Sequence, residues 1–309
     1  MKTSTITSGD LASSVIAVPP LCRNSELKID AAENSRLIKH LEAGGVSTLL
    51  YGGNANLYNI AVSEYDELLQ MLAENAGEET LVVPSVGPYF GTAMDQARIL
   101  KDHEFPAAMM LPATFPASPL GVRRAVCEFV ECAGIPVVLY IKDENYVTPE
   151  IAAELVDEGI VSWIKYAVVR EDPAVDDYLT KLTDLVDRAM IVSGIGEQPA
   201  IVHLEKFGVV GFTSGCVCVA PALSMEMLRA IKAGSLEEEA EAVRTKFFAL
   251  EDLRNTFGPI PVLHHAVSLA GLAETGPHLP LLDSLPAEVL AEIKAAAEEL
   301  LRNDLGSEA

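Results

Sequence analysis

The sequence predicts an α/β fold, a (β/α)8 or TIM barrel with a C-terminal helical extension. Apolar segments of four to eight residues alternate with segments whose apolar positions have helical spacing, which is typical of parallel strands joined by helices. A tally of eight such strands implies closure into a barrel. After Pro221 only helical spacing follows. We therefore predict a barrel over residues 1–220 that carries the functional site, and a helical extension over 221–309 packed on it.

Turn and capping residues set the limits of these elements. The first strand stops at Pro19-Pro20, since proline cannot continue a β ladder. Asp30 is the expected N-cap of the first barrel helix, and Gly44-Gly45 ends it. The predicted strands are 14–18, 46–51, 80–85, 107–111, 136–141, 160–167, 190–193 and 210–213. The predicted helices are 31–43, 63–76, 92–103, 119–133, 149–158, 172–186, 198–207, 223–233, 236–253, 261–272 and 286–301, with 303–309 expected to fray.

Composition and charge exclude several classes of function. Half of the residues are hydrophobic and the mean hydropathy is +0.25, which suffices for a large core. A net charge of −23 without a local Lys/Arg cluster repels nucleic acid and anionic membranes, so neither is an expected partner.

The cysteine and histidine patterns indicate the cellular compartment and show whether a metal site is expected. Five cysteines without a CxxC pair are expected to be reduced, and no secretory pattern or membrane-length apolar run is visible, so we expect a cytoplasmic protein. The six histidines form no HExxH or Cys/His set, and His264 and His265 are adjacent and would diverge on a helix. No metal site is predicted.

The main candidate for chemistry is Lys165, in the segment Ser-Trp-Ile-Lys-Tyr-Ala of the sixth strand. Alternation commits this side chain to the same face as Trp163, where burial lowers the pKa of an ammonium toward the neutral, nucleophilic amine. A strand-end lysine that extends into water explains the segment as well. Tyr140 ends the fifth strand, so its phenol can face the same cavity and relay protons, or simply pack as an aromatic ring.

Short polar loops follow the other strands, at the edge where barrel sites lie. Their glycines and hydroxyls could let backbone N–H groups approach a carboxylate, although ordinary turns use the same residues. These loops are Gly52-Gly53-Asn54, Ser85-Val86-Gly87, Pro112-Ala113-Thr114, Ser193-Gly194 and Thr213-Ser214-Gly215. The cations at this edge are Lys142, Lys165 and Arg170.

Together these residues resemble the dihydrodipicolinate synthase and N-acetylneuraminate lyase family of class I aldolases. The similarity covers nearly the whole chain and includes a Gly-rich turn after strand two, the tyrosine ending "PVVLYI", the lysine in "WIKYA" and Ser193-Gly194. It implies that Lys165 forms an imine with pyruvate or a related 2-keto acid, with no further cofactor, and that Tyr140 transfers protons. It also implies a homo-oligomer, either a dimer or a tetramer.

The resemblance places further residues in the keto-acid pocket. Gly53 and Asn54 occupy the positions of two carboxylate-binding threonines, so both hydroxyls are missing while backbone donors persist. Thr114 lies where a synthase has a tyrosine that reaches the neighbouring subunit. The remaining residues expected to shape the pocket are Ser193, Gly194 and Phe212.

The departures from the family pattern favour a lyase other than dihydrodipicolinate synthase itself, acting as an aldolase or a dehydratase. The stretch Asp143-Glu144-Asn145 replaces an expected arginine, and an acidic rim favours a neutral or hydroxylated second substrate. The altered turn at 52–56 leaves open a non-catalytic barrel that binds a keto acid or sugar acid. Metal-dependent aldol chemistry has little support, because the strand ends carry no His/Glu cluster.

Overall fold

Eight parallel strands close into one barrel in sequence order, and β1 pairs with both β2 and β8. The computed structural model describes residues 1–113 and 115–306, and only the backbone of residues 237 and 238. The predicted barrel is confirmed within these ranges. The strands are β1 Ile16–Ala17, β2 Thr48–Tyr51, β3 Leu81–Val86, β4 Ala108–Met110, β5 Val137–Ile141, β6 Val161–Tyr166, β7 Ile191–Ser193 and β8 Gly211–Ser214.

The barrel helices follow the capping signals of the sequence. The Asp30 carboxylate accepts hydrogen bonds from the N–H groups of Ala32 and Glu33, and this first barrel helix ends before Gly44 as predicted. The helices up to β8 are α1 Ser8–Ser13, α2 Ala31–Ala43, α3 Tyr65–Asn75, α4 Phe90–Leu100, α5 Pro119–Ala133, α6 Pro149–Asp157, α7 Asp177–Leu185 and α8 Ala200–Lys206. Helix α1 is absent from the sequence prediction, and a capping box between Thr7 and Asp10 starts it.

The helical extension consists of α9 Pro221–Ala233, α10 Glu241–Arg244, α11 Phe248–Phe257, α12 Pro259–Leu269 and α13 Ala287–Gly306. Helix α13 continues beyond the predicted end, so the expected fraying from residue 303 is wrong as far as Gly306. Asp304 explains the difference, because its carboxylate is buried and accepts a hydrogen bond of 2.7 Å from the N–H of Leu223 in α9. This bond ties the two ends of the extension together.

Register and alternation decide which side chains face the barrel axis. Tyr140 lies opposite Lys165 in the β5–β6 pair, and Lys165 lies opposite Val192 in the β6–β7 pair. Tyr166, the next residue, takes the outer face, where its hydroxyl donates a hydrogen bond of 2.6 Å to Asp176. Lys165 is therefore directed inward, as predicted from the sequence.

Two sequence expectations concern the chain as a whole. Across residues 1–113 and 115–306, none of the helices is both long and apolar enough to cross a membrane. All five cysteines are free thiols, and Cys22, Cys216 and Cys218 are buried.

Candidate active site

A cavity of about 230 Å³ opens at the carboxyl ends of the strands. The barrel contributes strand ends and the loops that follow them, and the helical extension closes one side. The lining residues are Val18, Asn54, Tyr140, Lys142, Lys165, Ala167, Val169, Gly194, Ile195, Thr213, Gly215, Arg254, Asn255 and Pro259. This volume is below the roughly 300–1,000 Å³ of pockets for drug-sized ligands, so the cavity suits a small metabolite.

Lys165 is the buried amine of this cavity, with only 4% of its surface exposed. Burial, the largest cause, and the positive charges of Lys142 and Arg254 together lower its pKa from 10.5 to about 7. The neutral amine is therefore accessible at neutral pH, where an ordinary lysine is almost fully protonated. A neutral amine is the form that attacks a carbonyl carbon.

Tyr140 is the immediate neighbour of this amine. The Lys165 Nζ lies 4.5 Å from the centre of the Tyr140 ring. Burial raises the pKa of the Tyr140 phenol well above its usual value, with a further rise from Tyr58 and a partial offset from Arg254. The phenol is thus protonated at neutral pH and can act as a proton donor beside the amine.

Gly194 makes room for the amine. A Cβ at this position would lie 2.8 Å from the Ala167 Cβ, 2.9 Å from the Lys165 Cγ and 2.9 Å from the Tyr166 carbonyl oxygen. Its N–H also donates a 2.6 Å hydrogen bond to that carbonyl. Gly194 lines the cavity and allows the loop after β7 to pass close against the stem of Lys165.

Asn54 fixes the turn after β2 to the rest of the site. Its side-chain amide donates to the Val18 carbonyl at 3.0 Å, and its own carbonyl accepts a 2.8 Å hydrogen bond from Nε2 of His264 in α12. Gly53 precedes it beside the Tyr58 ring, where a Cβ would lie 3.6 Å from Cε2. Asn54 lines the cavity, whereas Gly53 is not among the lining residues described above.

Two predicted pocket residues lie on the outer face of their strands. The Ser193 hydroxyl is 2.8 Å from Nδ1 of His203 in α8, on the side of the sheet that also carries Tyr166. Phe212 is fully buried and lies opposite Ser193 in the β7–β8 pair. Neither residue lines the cavity, because strand alternation turns both side chains toward the helices, and a role for them in the keto-acid pocket stays a prediction. Thr213, the residue after Phe212, lines the cavity instead.

The remaining expectation from the family pattern concerns Thr114. This residue falls outside the described part of the chain.

Sequence reasoning missed the contribution of the extension. Arg254 and Asn255 of α11 and Pro259 of α12 line the cavity. No local motif distinguishes Arg254 from other helix arginines, and its role follows only from the way α11 packs over the barrel mouth.

The charge of the rim also differs from expectation. Arg170, a predicted rim cation, binds Asp176 and Glu144, and Asp143 hydrogen-bonds Asn145. None of the described residues that line the cavity is acidic. Asp143 and Glu144 therefore do not contribute their charge to the cavity wall, and Glu144 is paired with Arg170.

Three buried side chains behind the cavity have the composition of a metal-ligand set. Potential ligand atoms of Glu197, Cys216 and Glu251 lie within 4.8 Å of one another. However, the Glu197 carboxylate already accepts hydrogen bonds from the hydroxyls of Ser214 and Ser224. The Glu251 carboxylate accepts two from backbone N–H groups, and burial raises the pKa of both acids. The donor set is thus occupied by protein hydrogen bonds and fits a metal ion poorly.

A larger cavity of about 790 Å³ lies at the ends of α4 and α5, between residues such as Tyr89, Phe90 and Arg124. It contains neither Lys165 nor Tyr140. We therefore place the candidate site in the smaller cavity, where the perturbed amine lies.

Comparison with known proteins agrees with this geometry. The model of the dihydrodipicolinate synthetase family matches residues 12–299. The chain belongs to this family. A curated member, 4-hydroxy-tetrahydrodipicolinate synthase of Chlorobaculum parvum, is 24% identical over 297 residues, which are 93% of this chain and 96% of that protein.

Solved structures of family members share the fold. The sialic acid aldolase of Ruminococcus gnavus superposes with a TM-score of 0.81 at 16% identity, over 96% of this chain and 99% of that one. A prophage protein of the dihydrodipicolinic acid synthase family from E. coli K12, solved in complex with pyruvate, superposes with a TM-score of 0.80 at 18% identity, over 93% of this chain and 98% of that one. At this identity the likeness establishes the fold, the barrel with its extension.

Proposed function

We propose that this protein is a class I lyase that forms an imine between Lys165 and pyruvate or a related 2-keto acid, and uses it for aldol cleavage, aldol addition or dehydration. The observation that carries the proposal is the buried Lys165 amine, whose pKa is lowered to about 7, beside the Tyr140 ring at 4.5 Å. Family membership and the pyruvate complex of the E. coli relative support it.

The chemistry of the first step follows from these two groups. The neutral amine of Lys165 attacks the keto carbon, and the carbonyl oxygen takes up a proton to give a carbinolamine. Tyr140, protonated because burial raises its pKa, donates the proton with which the hydroxyl leaves as water. The product is a protonated imine, formed from amine, ketone and one proton with release of one water. This imine withdraws electrons from the adjacent carbon and stabilises the carbanion that aldol or dehydration chemistry needs.

The keto-acid carboxylate requires its own donors, because neither threonine of the family pattern is present. The Asn54 side chain and the Thr213 hydroxyl are polar groups of the cavity lining that could hold it. The family's synthase activity is not the one we assign, since the arginine expected after the strand-five tyrosine is replaced by acid at 143–145. The reaction is carried out by side chains of this chain, without an added cofactor.

The test is reductive trapping. Protein incubated with pyruvate and borohydride is analysed by intact-mass spectrometry and peptide mapping, and we expect one reduced adduct, located on Lys165. The matched control is Lys101→Met, which changes an exposed lysine at the opposite end of the barrel and should leave the adduct intact. Absence of an adduct with pyruvate and with longer 2-keto acids would favour the alternative, a non-catalytic barrel that binds a keto acid or sugar acid.

We also propose that the protein functions as a cytoplasmic homo-oligomer, a dimer or a tetramer. Large exposed apolar side chains near the ends of β3 and β4 support self-association: Tyr89, Phe90 and Leu120 are 59%, 51% and 68% exposed. Sedimentation at micromolar protein should give at least twice the chain mass of 33.0 kDa. A monomeric mass would contradict this part of the proposal.

A further inference from the structure

The cavity around Lys165 is cationic in a protein whose net charge is −23. Lys142, Lys165 and Arg254 line it, and none of the described lining residues is acidic. A cluster of positive charges in a partly dry cavity lowers the stability of the fold, because like charges repel one another there. A ligand that supplies negative charge removes this cost. The cavity therefore contains more positive charge than a single carboxylate neutralises.

The proposed imine chemistry uses neither Lys142 nor Arg254, and of these two cations Arg254 is the buried one. Its side chain is about nine-tenths buried, and Asn255 Oδ1 accepts hydrogen bonds from its Nε at 3.3 Å and its Nη2 at 3.0 Å. Burying a guanidinium costs several kcal/mol unless it is paired, so a cavity-facing arginine implies an anionic partner.

Glu251 does not fully supply that partner. Its Oε1 lies 3.6 Å from Arg254 Nη1, too far for a hydrogen bond, and both of its oxygens already accept backbone N–H groups of Glu197 and Gln198. Burial and the neighbouring Glu197 raise the pKa of this carboxyl, and its contact with Arg254 is an ion pair without a hydrogen bond. The arginine keeps capacity for a second anion on its cavity side.

The loop after β7 holds this arrangement in place. Gly196 has φ +120°, and a Cβ there would overlap Glu251 Oε1 and come within 2.9 Å of Arg254 Nη1. Two residues earlier, Gly194 makes the corresponding room for Lys165. One short loop thus positions the amine and the guanidinium around the same cavity.

We propose that Arg254, with Asn255, is a substrate-binding subsite that selects 2-keto acids carrying a second carboxylate at the end remote from the keto group. Formation of the imine turns Lys165 into a permanent cation beside Lys142 and Arg254. The first carboxylate offsets one of these charges, and a second carboxylate on Arg254 offsets another, with the planar, bidentate geometry that guanidinium provides. The inference rests on the proposed function, since it assigns the substrate class of that same site.

The experiment compares two keto acids of equal carbon number. We would measure half-saturating concentrations for borohydride trapping with 2-oxoglutarate, which has a second carboxylate, with 2-oxopentanoate, which ends in a methyl group, and with pyruvate. Wild-type protein should require at least tenfold less 2-oxoglutarate than 2-oxopentanoate. In Arg254→Gln the two five-carbon values should agree within about twofold. The readout is the ratio of these two values within each variant, because loss of the Arg254 charge also changes the Lys165 amine that every keto acid must meet.

The controls separate a lost subsite from a lost fold. Arg254→Lys keeps the charge and should keep part of the selectivity. The double variant Glu251→Gln with Arg254→Gln removes the pair together, avoids an uncompensated buried carboxylate, and should behave as Arg254→Gln does. Equal trapping of both five-carbon acids by the wild type, or undiminished selectivity in Arg254→Gln, would overturn the assignment.

The proposed function and this subsite can fail separately. If pyruvate is trapped but the carboxylate confers no advantage, the imine mechanism stands and the subsite is rejected. If no keto acid is trapped, the imine mechanism is rejected, and calorimetric titration decides the subsite. Tighter binding of 2-oxoglutarate than of 2-oxopentanoate that depends on Arg254 would then support it, and equal or absent binding would reject it.

Discussion

Replacing Lys165 with methionine should abolish imine formation and at the same time stabilise the protein. Lysine at this position has a pKa of about 7 in the folded chain against an ordinary 10.5, so folding must remove a proton between these two values. Methionine has similar length and no charge, and it fills the space without that cost. Loss of activity with a gain in stability is the expected signature of a functional buried amine.

The size of the gain depends on pH in a defined way. Between pH 7 and pH 10.5 the unfolded chain binds one proton more than the folded chain, so wild-type stability rises with pH in this window. The cost of the buried lysine is then about 4 kcal/mol at pH 7 and about 2 kcal/mol at pH 9. The advantage of Lys165→Met should therefore shrink by about 1 kcal/mol for each pH unit between pH 7 and pH 9.

Urea unfolding of wild type and Lys165→Met at pH 7, 8 and 9 measures this difference. Packing of the methionine adds a constant, which leaves the slope with pH unaffected. Lys101→Met, the exposed control, should show no comparable slope. A pH-independent difference between wild type and Lys165→Met would refute the argument that the amine is held near neutrality by burial, and substantial turnover in the variant would refute its catalytic role.

Three further substitutions test the other parts of the site. Tyr140→Phe should slow trapping about 10²–10⁴-fold at saturating keto acid with little change in the half-saturating concentration; an equal loss in both would point to a binding role. Gly194→Ala should abolish trapping and lower the free energy of unfolding by about 1–3 kcal/mol, because the added Cβ meets backbone and the stem of Lys165. Its control is Gly91→Ala on α4, where the Cβ meets open space, and urea unfolding should show no loss of stability or a slight gain. His264→Leu should raise the half-saturating concentration several-fold by leaving the Asn54 carbonyl without its donor; an unchanged value would show that the turn holds itself.

The barrel and its two central residues could be predicted from the sequence because they depend on local rules. Alternation along β6 and the end of β5 were enough to direct Lys165 and Tyr140 to one cavity. Helix α5 has the predicted bounds because Ser118, Pro119 and Gly134 mark both its ends. Such signals do not depend on distant parts of the chain.

The rest of the site could not be predicted for two reasons. The strands β7 and β8 are too short for the sequence to fix which of their residues face inward, and other parts of the site depend on packing between helices that are distant in the chain. The inward-facing position on β8 is one residue later than expected, so Thr213 faces the cavity while Phe212 and Ser193 lie on the outer face. Arg254 lies far along the chain from Lys165, and nothing in its own helix pattern shows that α11 covers the barrel mouth. Asp143 and Glu144 suggested an acidic site, but neither lines the cavity, and Glu144 is paired with Arg170.

The helical extension is more than a cap, because three of its residues belong to the cavity wall and one fixes the turn after β2. His264 is bound to Asn54, and Arg254 is held close to the β7 loop by Gly196. A shift of α11 and α12 relative to the barrel would therefore move two parts of the site. One is the turn after β2, which is expected to hold the keto-acid carboxylate, and the other is the Arg254 guanidinium, which is proposed to hold the second carboxylate. Substrate selectivity should then evolve in the extension, while the amine and phenol on β5 and β6 keep the chemistry constant.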